Sequence, residues 1–376
     1  MRKLKIAFIG QKAVPFYRDG GVERHVEELS TRLAARGHNV LVYVRPRYLA
    51  TKEDIWRGVR LKRLWSIPTK NLETITHTLF ASLHVLFQKV DIIHYHGVGP
   101  STLSWLPRIF RPGVKVVATF HSIDRFHKKW GLLARAYLTW GEWTVTHFPH
   151  VTIAVSQSIK KYCKKRFGKN VVHIPNGVSI QKVAASNELG RWDLRPNKYI
   201  ITVARLVRHK GIHYLIEAFK KIPDDIKQET KLVIVGAPSY TDDYEAYLKE
   251  LAANDHRIIF TGFQFGDALR QLYAHALFYV HPSESEGLSM TILEAMSYGR
   301  CVIMSDIPEN LEAIDHSGIA FKVGDVDSLR DEIVSLMNHP EILKDRGKAA
   351  IAYIKEKFEW EKIVDQTERV YQHLMK

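Results

Sequence analysis

The sequence predicts an α/β fold made of two doubly wound domains that face each other across a cleft. Three observations support this prediction. The chain has 376 residues, more than one hydrophobic core usually organises. Short β-rich apolar runs alternate with amphipathic segments of helical period, which is typical of βαβ units around a parallel sheet. The alternation stops in a polar stretch near residue 180 and starts afresh near residue 199, so we expect one sheet on each side.

The first half opens on a strand, a helix and a second strand. Residues 4–10 form a short apolar run, residues 22–36 have helical periodicity and end before Gly37, and residues 39–44 form the next run. Further strands are predicted at residues 91–94, 114–119, 151–155 and 171–174. Because open α/β sheets bind ligands at the carboxyl ends of their strands, the loops that follow strands are the candidate functional sites.

The domain boundary is predicted within the polar residues 179–193. We assign residues 1–186 to a first domain, residues 187–357 to a second, and residues 358–376 to a terminal amphipathic helix that can pack back on the first domain. Strands of the second domain are predicted at residues 199–204, 231–235, 257–261, 277–280 and 301–304.

Composition excludes several classes of protein. The apolar fraction of 45% and charged fraction of 25% are ordinary for a soluble globular chain. Cys163 and Cys301 are the only cysteines, which excludes a disulfide framework and favours the cytoplasm. No run approaches the roughly 18 apolar residues that span a bilayer.

The charge is unevenly distributed along the chain. Residues 1–186 carry a net charge of +21 and the rest carries −6. The field of such a basic half can attract nucleic acid, anionic lipid or a phosphorylated substrate.

The most informative motif runs from Glu286 to Glu294. A predicted strand leads through Glu286, Gly287, Leu288 and Ser289 into a helix that contains Glu294. The free amides of a helix's first turn can bind an anion such as phosphate, and a carboxylate can accept hydrogen bonds from vicinal hydroxyls. Alternatively, Glu286 caps the helix and Glu294 is a solvated helix residue.

A second motif, Arg205 to Gly211, follows the first strand of the second domain. Arg205 and Lys210 precede a helix that begins near Ile212. Cations at a helix amino terminus oppose the helix dipole, and a bound diphosphate would compensate for them. The alternative is a solvated basic loop.

Two features of the first domain are also candidates. Gly20 and Gly21 lie between the first strand and first helix, where the lack of Cβ lets a ligand approach the backbone. His121 follows another strand and can hydrogen-bond a substrate hydroxyl or a leaving oxygen. Each has a structural alternative, a flexible loop for the glycines and a satisfied core residue for His121. His94 and His96 point to one face of a strand, but with no third ligand evident we predict no metal site.

Several motifs are absent or explained by structure. The chain lacks the Gly-x-Gly-x-x-Gly and Gly-x-x-x-x-Gly-Lys-Ser/Thr fingerprints, which argues against a dinucleotide oxidoreductase and a P-loop ATPase. Asp325 is predicted to cap the helix of residues 328–338.

Two segments of the first domain, residues 105–111 and 125–140, mix aromatic and basic side chains. This mixture suits a membrane interface, single-stranded nucleic acid, or a core with a solvated basic face.

Together these motifs resemble the family 4 retaining glycosyltransferases. The resemblance rests on Glu286-x7-Glu294 within Pro-Ser-x-x-Glu-Gly…Leu-Glu-Ala-Met-x-x-Gly, on Val-Ala-Arg205-Leu-x-x-x-Lys210-Gly, and on Gly20-Gly21-Val-Glu-Arg. It implies the GT-B architecture of two facing Rossmann-like domains, the first on the acceptor side and the second binding a nucleotide sugar.

The resemblance also implies a role for each matching residue. Arg205 and Lys210 would neutralise the donor diphosphate, Glu294 would bind the ribose, and Glu286 and His121 would bind the donor sugar as catalytic residues. The amides of Gly287, Leu288 and Ser289 would contact the sugar or β-phosphate, and Gly20 and Gly21 would close on the phosphates. Relatives often have Gly-Phe-Gly where this chain has Gly287-Leu288-Ser289, a difference that bears on which sugar is accepted.

The implied reaction uses a UDP- or GDP-sugar, with no cofactor and no required metal. We expect a glycan or polyprenyl-diphosphate-linked acceptor, a cytoplasmic chain that can bind the anionic inner membrane face, a role in surface-polysaccharide synthesis, and no nucleic-acid partner. The alternatives are a sugar-nucleotide epimerase or a glycan phosphorylase of similar fold and, from another class, a noncatalytic nucleic-acid-binding protein that uses the basic half.

Overall fold

The chain folds into two compact units. The computed structural model describes residues 2–16, 20–69, 72–123, 132–238, 242–315 and 317–376. Unit 1 comprises Met1–Asn176 and Trp360–Lys376, and unit 2 comprises Gly177–Glu359. Each contains a parallel sheet between helices, so the prediction of an α/β chain with two doubly wound sheets is confirmed.

Unit 1 is built on an eight-stranded sheet in the order β3-β4-β2-β1-β5-β6-β7-β8. Its strands are β1 (Lys5–Ile9), β2 (Asn39–Val44), β3 (Ile55–Trp56), β4 (Val59–Arg63), β5 (Ile92–His96), β6 (Lys115–Phe120), β7 (Val151–Ala154) and β8 (Val172–His173). Its helices are α1 (Gly21–Ala35), α2 (Leu72–Val85), α3 (Val98–Ser101), α4 (Trp105–Phe110), α5 (Leu132–His147) and α6 (Gln157–Phe167). All strand pairs are parallel except β3 with β4.

The six predicted strands of unit 1 are confirmed to within two residues at each end. Strands β3 and β4 were not predicted from the sequence. They form the edge of the sheet, and β4 places Val59 and Leu61 in the core while its charged residues face outward. The run is short and half charged, so its apolar alternation is too brief to distinguish it from a loop.

Unit 2 is built on a six-stranded parallel sheet in the order β11-β10-β9-β12-β13-β14. Its strands are β9 (Tyr199–Val203), β10 (Lys231–Val235), β11 (Ile258–Gly262), β12 (Tyr279–His281), β13 (Val302–Ser305) and β14 (Ile319–Phe321). Its helices are α7 (Ile212–Lys220), α8 (Asp224–Lys227), α9 (Asp242–Leu251), α10 (Gly266–Ala274), α11 (Met290–Ser297), α12 (Pro308–Ile314), α13 (Val326–Asn338) and α14 (Pro340–Tyr353). The predicted cap of α13 is present, because Asp325 Oδ1 accepts from the Ser328 amide at 3.0 Å.

The last helix, α15 (Trp360–Leu374), belongs to unit 1. Trp360, Ile363, Val364 and Tyr371 join the same buried cluster as strands β1 and β2. Polar contacts reinforce this packing. Arg36 at the end of α1 donates to Asp365 at 2.6 Å and to Glu368 at 3.0 Å. The helix is therefore part of the core of unit 1.

The boundary between the units lies earlier than the predicted position after residue 186. The chain leaves unit 1 at Asn176, and the next residues already bond to unit 2. Val178 donates its amide to Phe358 at 2.7 Å, and Gln181 donates to Ser297 at 3.2 Å. The polar stretch of residues 179–193 therefore lies on unit 2 and is not the linker.

None of the described helices has both the length and the hydropathy that crossing a bilayer requires.

Candidate functional site

In unit 2, the motif that begins at Glu286 lies between the central strand β12 and helix α11. The strand ends at His281, and the helix begins at Met290. Gly287, Leu288 and Ser289 are buried in the connecting turn. The sequence prediction of a strand, a turn and a helix here is confirmed, and the motif lies at a carboxyl strand end.

Glu286 forms an ion pair with Lys210. Lys210 Nζ donates to Glu286 Oε1 at 2.5 Å, and the two side chains are 14% and 9% exposed. Burial by itself raises the pKa of Glu286, but Lys210 and His281 outweigh it and hold that pKa well below its ordinary value. Glu286 is therefore a buried carboxylate that stays ionised at neutral pH, with its lone pairs available to hydroxyl donors.

His281 is a site residue that sequence reasoning missed. Its Nε2 lies 2.7 Å from Glu286 Oε1, and its Nδ1 lies 3.0 Å from the hydroxyl of Tyr279. Burial lowers the pKa of His281, so the ring is neutral at pH 7. An ionised Glu286 only accepts, which assigns the ring proton to Nε2 and leaves Nδ1 as an acceptor beside the Tyr279 hydroxyl. The sequence did contain an indication of this contact: Tyr279 and His281 are two residues apart in a predicted strand, and that spacing places both rings on one face.

A chain of hydroxyl groups continues from Tyr279 toward the start of α11. Thr291 Oγ1 lies 2.9 Å from the Tyr279 hydroxyl, and Ser289 Oγ lies 3.1 Å from Thr291 Oγ1. Ser289 begins the helix, but its side chain makes no capping hydrogen bond to the first turn. The first-turn amides of α11 are thus left uncapped by the residue that usually caps them.

The two motifs of unit 2 are joined through their main chains. The Glu284 amide donates to the His209 carbonyl at 2.8 Å, and the Ser283 hydroxyl donates to the same oxygen at 3.1 Å. Gly211 adopts φ +67°, and a Cβ there would lie 2.0 Å from the Pro282 carbonyl oxygen. This contact requires glycine, and it brings Lys210 beside Glu286.

The remaining predicted residues of unit 2 surround this pair. Arg205 is exposed, and the residues that the structure describes provide no ion-pair partner for it. Glu294 is half-buried in α11 and accepts from the Tyr273 hydroxyl at 3.3 Å. The ring of Tyr273 stacks on Tyr298 with centroids 5.5 Å apart. Glu294 is therefore held against an aromatic pair.

The other predicted residues lie in unit 1. Gly20 directly precedes α1 with extended backbone, and Gly21 is the first residue of that helix. Asp19 lies outside the described residues. A Cβ on Gly20 would lie 2.3 Å from Glu23 Oε2, the end of a flexible side chain that can move aside, so the loop conformation does not by itself require glycine here. His121 follows β6, is 8% exposed, and its Nε2 lies 3.1 Å from His96 Nδ1.

Comparisons with known proteins agree with this organisation. Residues 19–182 match the family described as Glycosyltransferase Family 4, and residues 191–353 match Glycosyl transferases group 1. An uncharacterised glycosyltransferase of Methanocaldococcus jannaschii is 28% identical, over 95% of each chain.

Two solved structures show the same fold. Sucrose-phosphate synthase from Thermosynechococcus elongatus superposes with a TM-score of 0.84 and 21% identity over 99% of each chain. HepE from Anabaena, solved in complex with UDP-glucose, superposes with a TM-score of 0.80 and 19% identity, over 98% of this chain and all of that one. The architecture is therefore GT-B.

Proposed function

Because the chain belongs to the family 4 glycosyltransferases, we propose that it is a retaining enzyme that transfers a hexose-type sugar from a UDP- or GDP-sugar. The acceptor is a glycan or a polyprenyl-diphosphate-linked glycan, and the reaction serves surface-polysaccharide synthesis. The observation that carries this proposal is the Lys210–Glu286–His281 cluster beside the uncapped start of α11.

The cluster has the chemistry that departure of a nucleoside diphosphate needs. Negative charge grows on the diphosphate as the sugar bond breaks, and fixed cations and helix amides stabilise such charge without reorganising. Arg205 is exposed and close in sequence to Lys210, so both can meet a polyanion. We expect these groups to replace a metal ion in neutralising the diphosphate.

The carboxylates are proposed to hold hydroxyl groups. Glu286 is ionised and buried, so it can accept from the hydroxyls of the donor sugar, and Glu294 can accept from those of a ribose. The amides of Gly287, Leu288 and Ser289 are proposed to contact the sugar or β-phosphate. The acceptor would attack on the face that the diphosphate leaves, so no enzyme nucleophile is required.

Three residues of unit 1 are proposed to contact the same donor. His121 would bind the donor sugar and assist the departing phosphate, and Gly20 and Gly21 would contact the phosphates through their main chain. These roles come from the motif match.

The donor is tested by thermal shift with UDP, GDP and ADP and with their sugars. Selective stabilisation by one nucleotide identifies the donor, because a ligand that binds only the folded state raises its stability.

Arg205→Ala should weaken donor use, and the matched control Arg208→Ala changes an exposed arginine of the same loop. Equal kinetics in the two variants would contradict the phosphate assignment. The chemical identity of the product separates glycosyl transfer from epimerisation and phosphorolysis, and the anomeric configuration of the new bond tests retention.

A lipid-linked acceptor is supported by an aromatic and basic surface on unit 1, which we call the α2–α4 patch. Its exposed side chains are Trp65, Phe80, Phe87, Ile109 and Phe110, and Phe87 is 85% exposed. The Trp65 and Phe80 rings lie 5.9 Å apart, and Arg111 after α4 donates to the Leu86 carbonyl after α2.

The α2–α4 patch carries cations as well as apolar side chains. Arg108 and Lys89 are exposed there. Apolar groups that enter the headgroup layer beside cations that meet anionic lipid are the two elements of peripheral membrane binding. The second aromatic and basic segment lies partly outside the described residues, which omit residues 124–131.

Flotation with anionic liposomes tests the patch. The protein should float at low salt, and Phe87→Ser with Phe110→Ser should release it, since apolar burial and charge both contribute. Phe265→Ser is the matched control, because Phe265 is 68% exposed but lies in unit 2. Equal flotation of all variants would refute the patch as the binding surface.

A further inference from the structure

Three buried histidines of unit 1 converge from separate elements. His25 lies in α1, His96 ends β5, and His121 follows β6. One ring nitrogen of each lies within 4.8 Å of the others. The exposed fractions of these residues are 4%, 1% and 8%. The sequence predicted no metal site here because only His94 and His96 were visibly paired; the fold supplies two further rings.

The three rings form a nearly equilateral triangle. Their centroids are 5.0 Å apart for His25 and His121, 5.4 Å for His96 and His121, and 5.6 Å for His25 and His96. A zinc–nitrogen bond of about 2.0–2.1 Å in tetrahedral geometry places two ligand nitrogens roughly 3.4 Å apart and their ring centres roughly 5 Å apart. The His96 Nδ1 to His121 Nε2 distance of 3.1 Å is close to this value.

The protonation state of the rings suits metal binding. Burial lowers the pKa of His25 to about 4 and holds the pKa values of His96 and His121 well below their ordinary value. Neutral imidazole is the form that binds metals. In the described part of the chain, His25 Nδ1 is buried without a hydrogen-bond partner, and a buried polar atom without a partner is uncommon in folded proteins.

A fourth nearby histidine is not part of this arrangement. The His94 ring lies 4.1 Å from that of His96, but its two nitrogens are already engaged. Nδ1 lies 2.6 Å from the Tyr371 hydroxyl, and Nε2 lies 2.7 Å from Thr119 Oγ1. His94 is therefore a support for the cluster and serves as its internal control.

We propose that His25, His96 and His121 form a three-histidine site for Zn²⁺, with its fourth position taken by water. Three neutral nitrogen ligands favour zinc and its borderline neighbours Co²⁺ and Ni²⁺, whereas Mg²⁺ and Ca²⁺ take oxygen ligands.

One consequence rests on the proposed function. If the His121 ring contacts the donor sugar during transfer, Zn²⁺ and the sugar compete for the same ring, and added zinc should lower the transfer rate. Binding of zinc without loss of transfer would remove the proposed role of His121 and leave the metal site intact. The site is therefore tested by binding alone, with neither donor nor acceptor present.

The first experiment uses untagged, chelator-stripped full-length protein titrated with ZnCl₂ in a calorimeter and with CoCl₂ in a visible spectrometer. One equivalent of zinc should bind, and Co²⁺ should show the intense visible bands of a tetrahedral nitrogen site. Absence of binding, or a pale octahedral Co²⁺ spectrum, overturns the proposal. This measurement uses the unaltered chain, so it holds even if a variant fails to fold.

The variants His25→Asn and His96→Asn locate the metal. Each should weaken zinc binding by more than the roughly 10- to 100-fold that loss of an outer-shell partner costs. His94→Gln is the control; it changes a buried ring of the same cluster that donates no ligand, and one equivalent of zinc should still bind. Thermal unfolding checks that each variant is folded. Unchanged zinc affinity in folded His25→Asn and His96→Asn would place the metal elsewhere and overturn the assignment.

Discussion

Gly211 and Pro282 are in main-chain contact. A Cβ at Gly211 would lie 2.0 Å from the Pro282 carbonyl oxygen, and Gly211 has φ +67°. Lys210 immediately precedes this contact, and Glu286 follows it within the loop that Pro282 begins. The ion pair of the candidate site therefore depends on a glycine that bears no functional group.

Gly211→Ala should destabilise unit 2 and reduce donor use. A left-handed backbone costs an ordinary residue about 1–2 kcal/mol, and the clash with Pro282 adds to it. Gly262→Ala is the matched control, because Gly262 has φ +69° with nothing within 4 Å of its ideal Cβ. Denaturant unfolding should show a larger loss for Gly211→Ala; equal losses would mean that the contact carries no constraint.

Lys210→Met should raise the pKa of Glu286. Burial raises this pKa, and Lys210 and His281 together lower it. In the variant, only His281 would remain to oppose the effect of burial. The acid limb of the kcat/KM profile should move upward by about one pH unit or more, since hydrogen bonds to charged groups contribute about 1.5–3 kcal/mol. An acid limb at the same pH in both proteins would contradict the coupling.

The same pair makes a prediction about stability. The depressed pKa of Glu286 means that the ionised pair stabilises the fold above the ordinary value of 4.5, and that this contribution is lost as the pH falls through the lower folded-state value. In Lys210→Met the folded-state pKa of Glu286 moves up toward the ordinary value, so this variant should lose less stability than the unaltered chain as the pH falls below 4.5. Urea unfolding across pH 3–7 measures the difference, and parallel stability curves would count against the assignment.

His281→Asn should lower kcat more than it changes the KM of the donor, because His281 positions Glu286. His281→Gln is the matched variant: its amide reaches the location of the ring Nε2, which lies 2.7 Å from Glu286, whereas the shorter asparagine does not. Glutamine should therefore restore part of the activity. Similar kinetics for the two variants would show that the Nε2 hydrogen bond does not matter.

Glu368→Ala should destabilise unit 1 much more than Asp365→Ala. Both carboxylates accept from Arg36, but their side chains are 6% and 48% exposed. Glu368 also pairs with buried His38 at 3.0 Å. Loss of the buried partner should cost about 1–3 kcal/mol, and loss of the exposed one under about 1 kcal/mol. Chemical denaturation measures both, and equal effects would mean that α15 is held by its apolar face alone.

The sequence predicts elements well where apolar runs are long and uniform. Strands such as Asn39–Val44 and Lys231–Val235 have the predicted bounds. The strand Ile319–Phe321 was missed, because three residues are too few to establish a period. The unit boundary was placed too late because residues 179–193 are polar, although the bonds that tie the start of this stretch to unit 2 are made by main-chain groups that composition does not reveal.

The candidate site was predicted as two separate motifs. Their residues were found from the sequence, but the pairing of Lys210 with Glu286 depends on a loop contact that forms only in the folded unit. The triangle of His25, His96 and His121 was not predictable for the same reason. Its members lie on different elements, and only the strand order β1-β5-β6 brings them together.

The two ends of unit 2 are neighbours. Val178 bonds to Phe358 and bridges to Glu359, so the polypeptide enters and leaves this unit at almost the same point. Unit 2 is in effect an insertion within unit 1, which α15 completes. A segment with adjoining termini can be exchanged between relatives as a cassette without new connecting loops, and such an exchange tests the proposal that unit 2 sets donor preference.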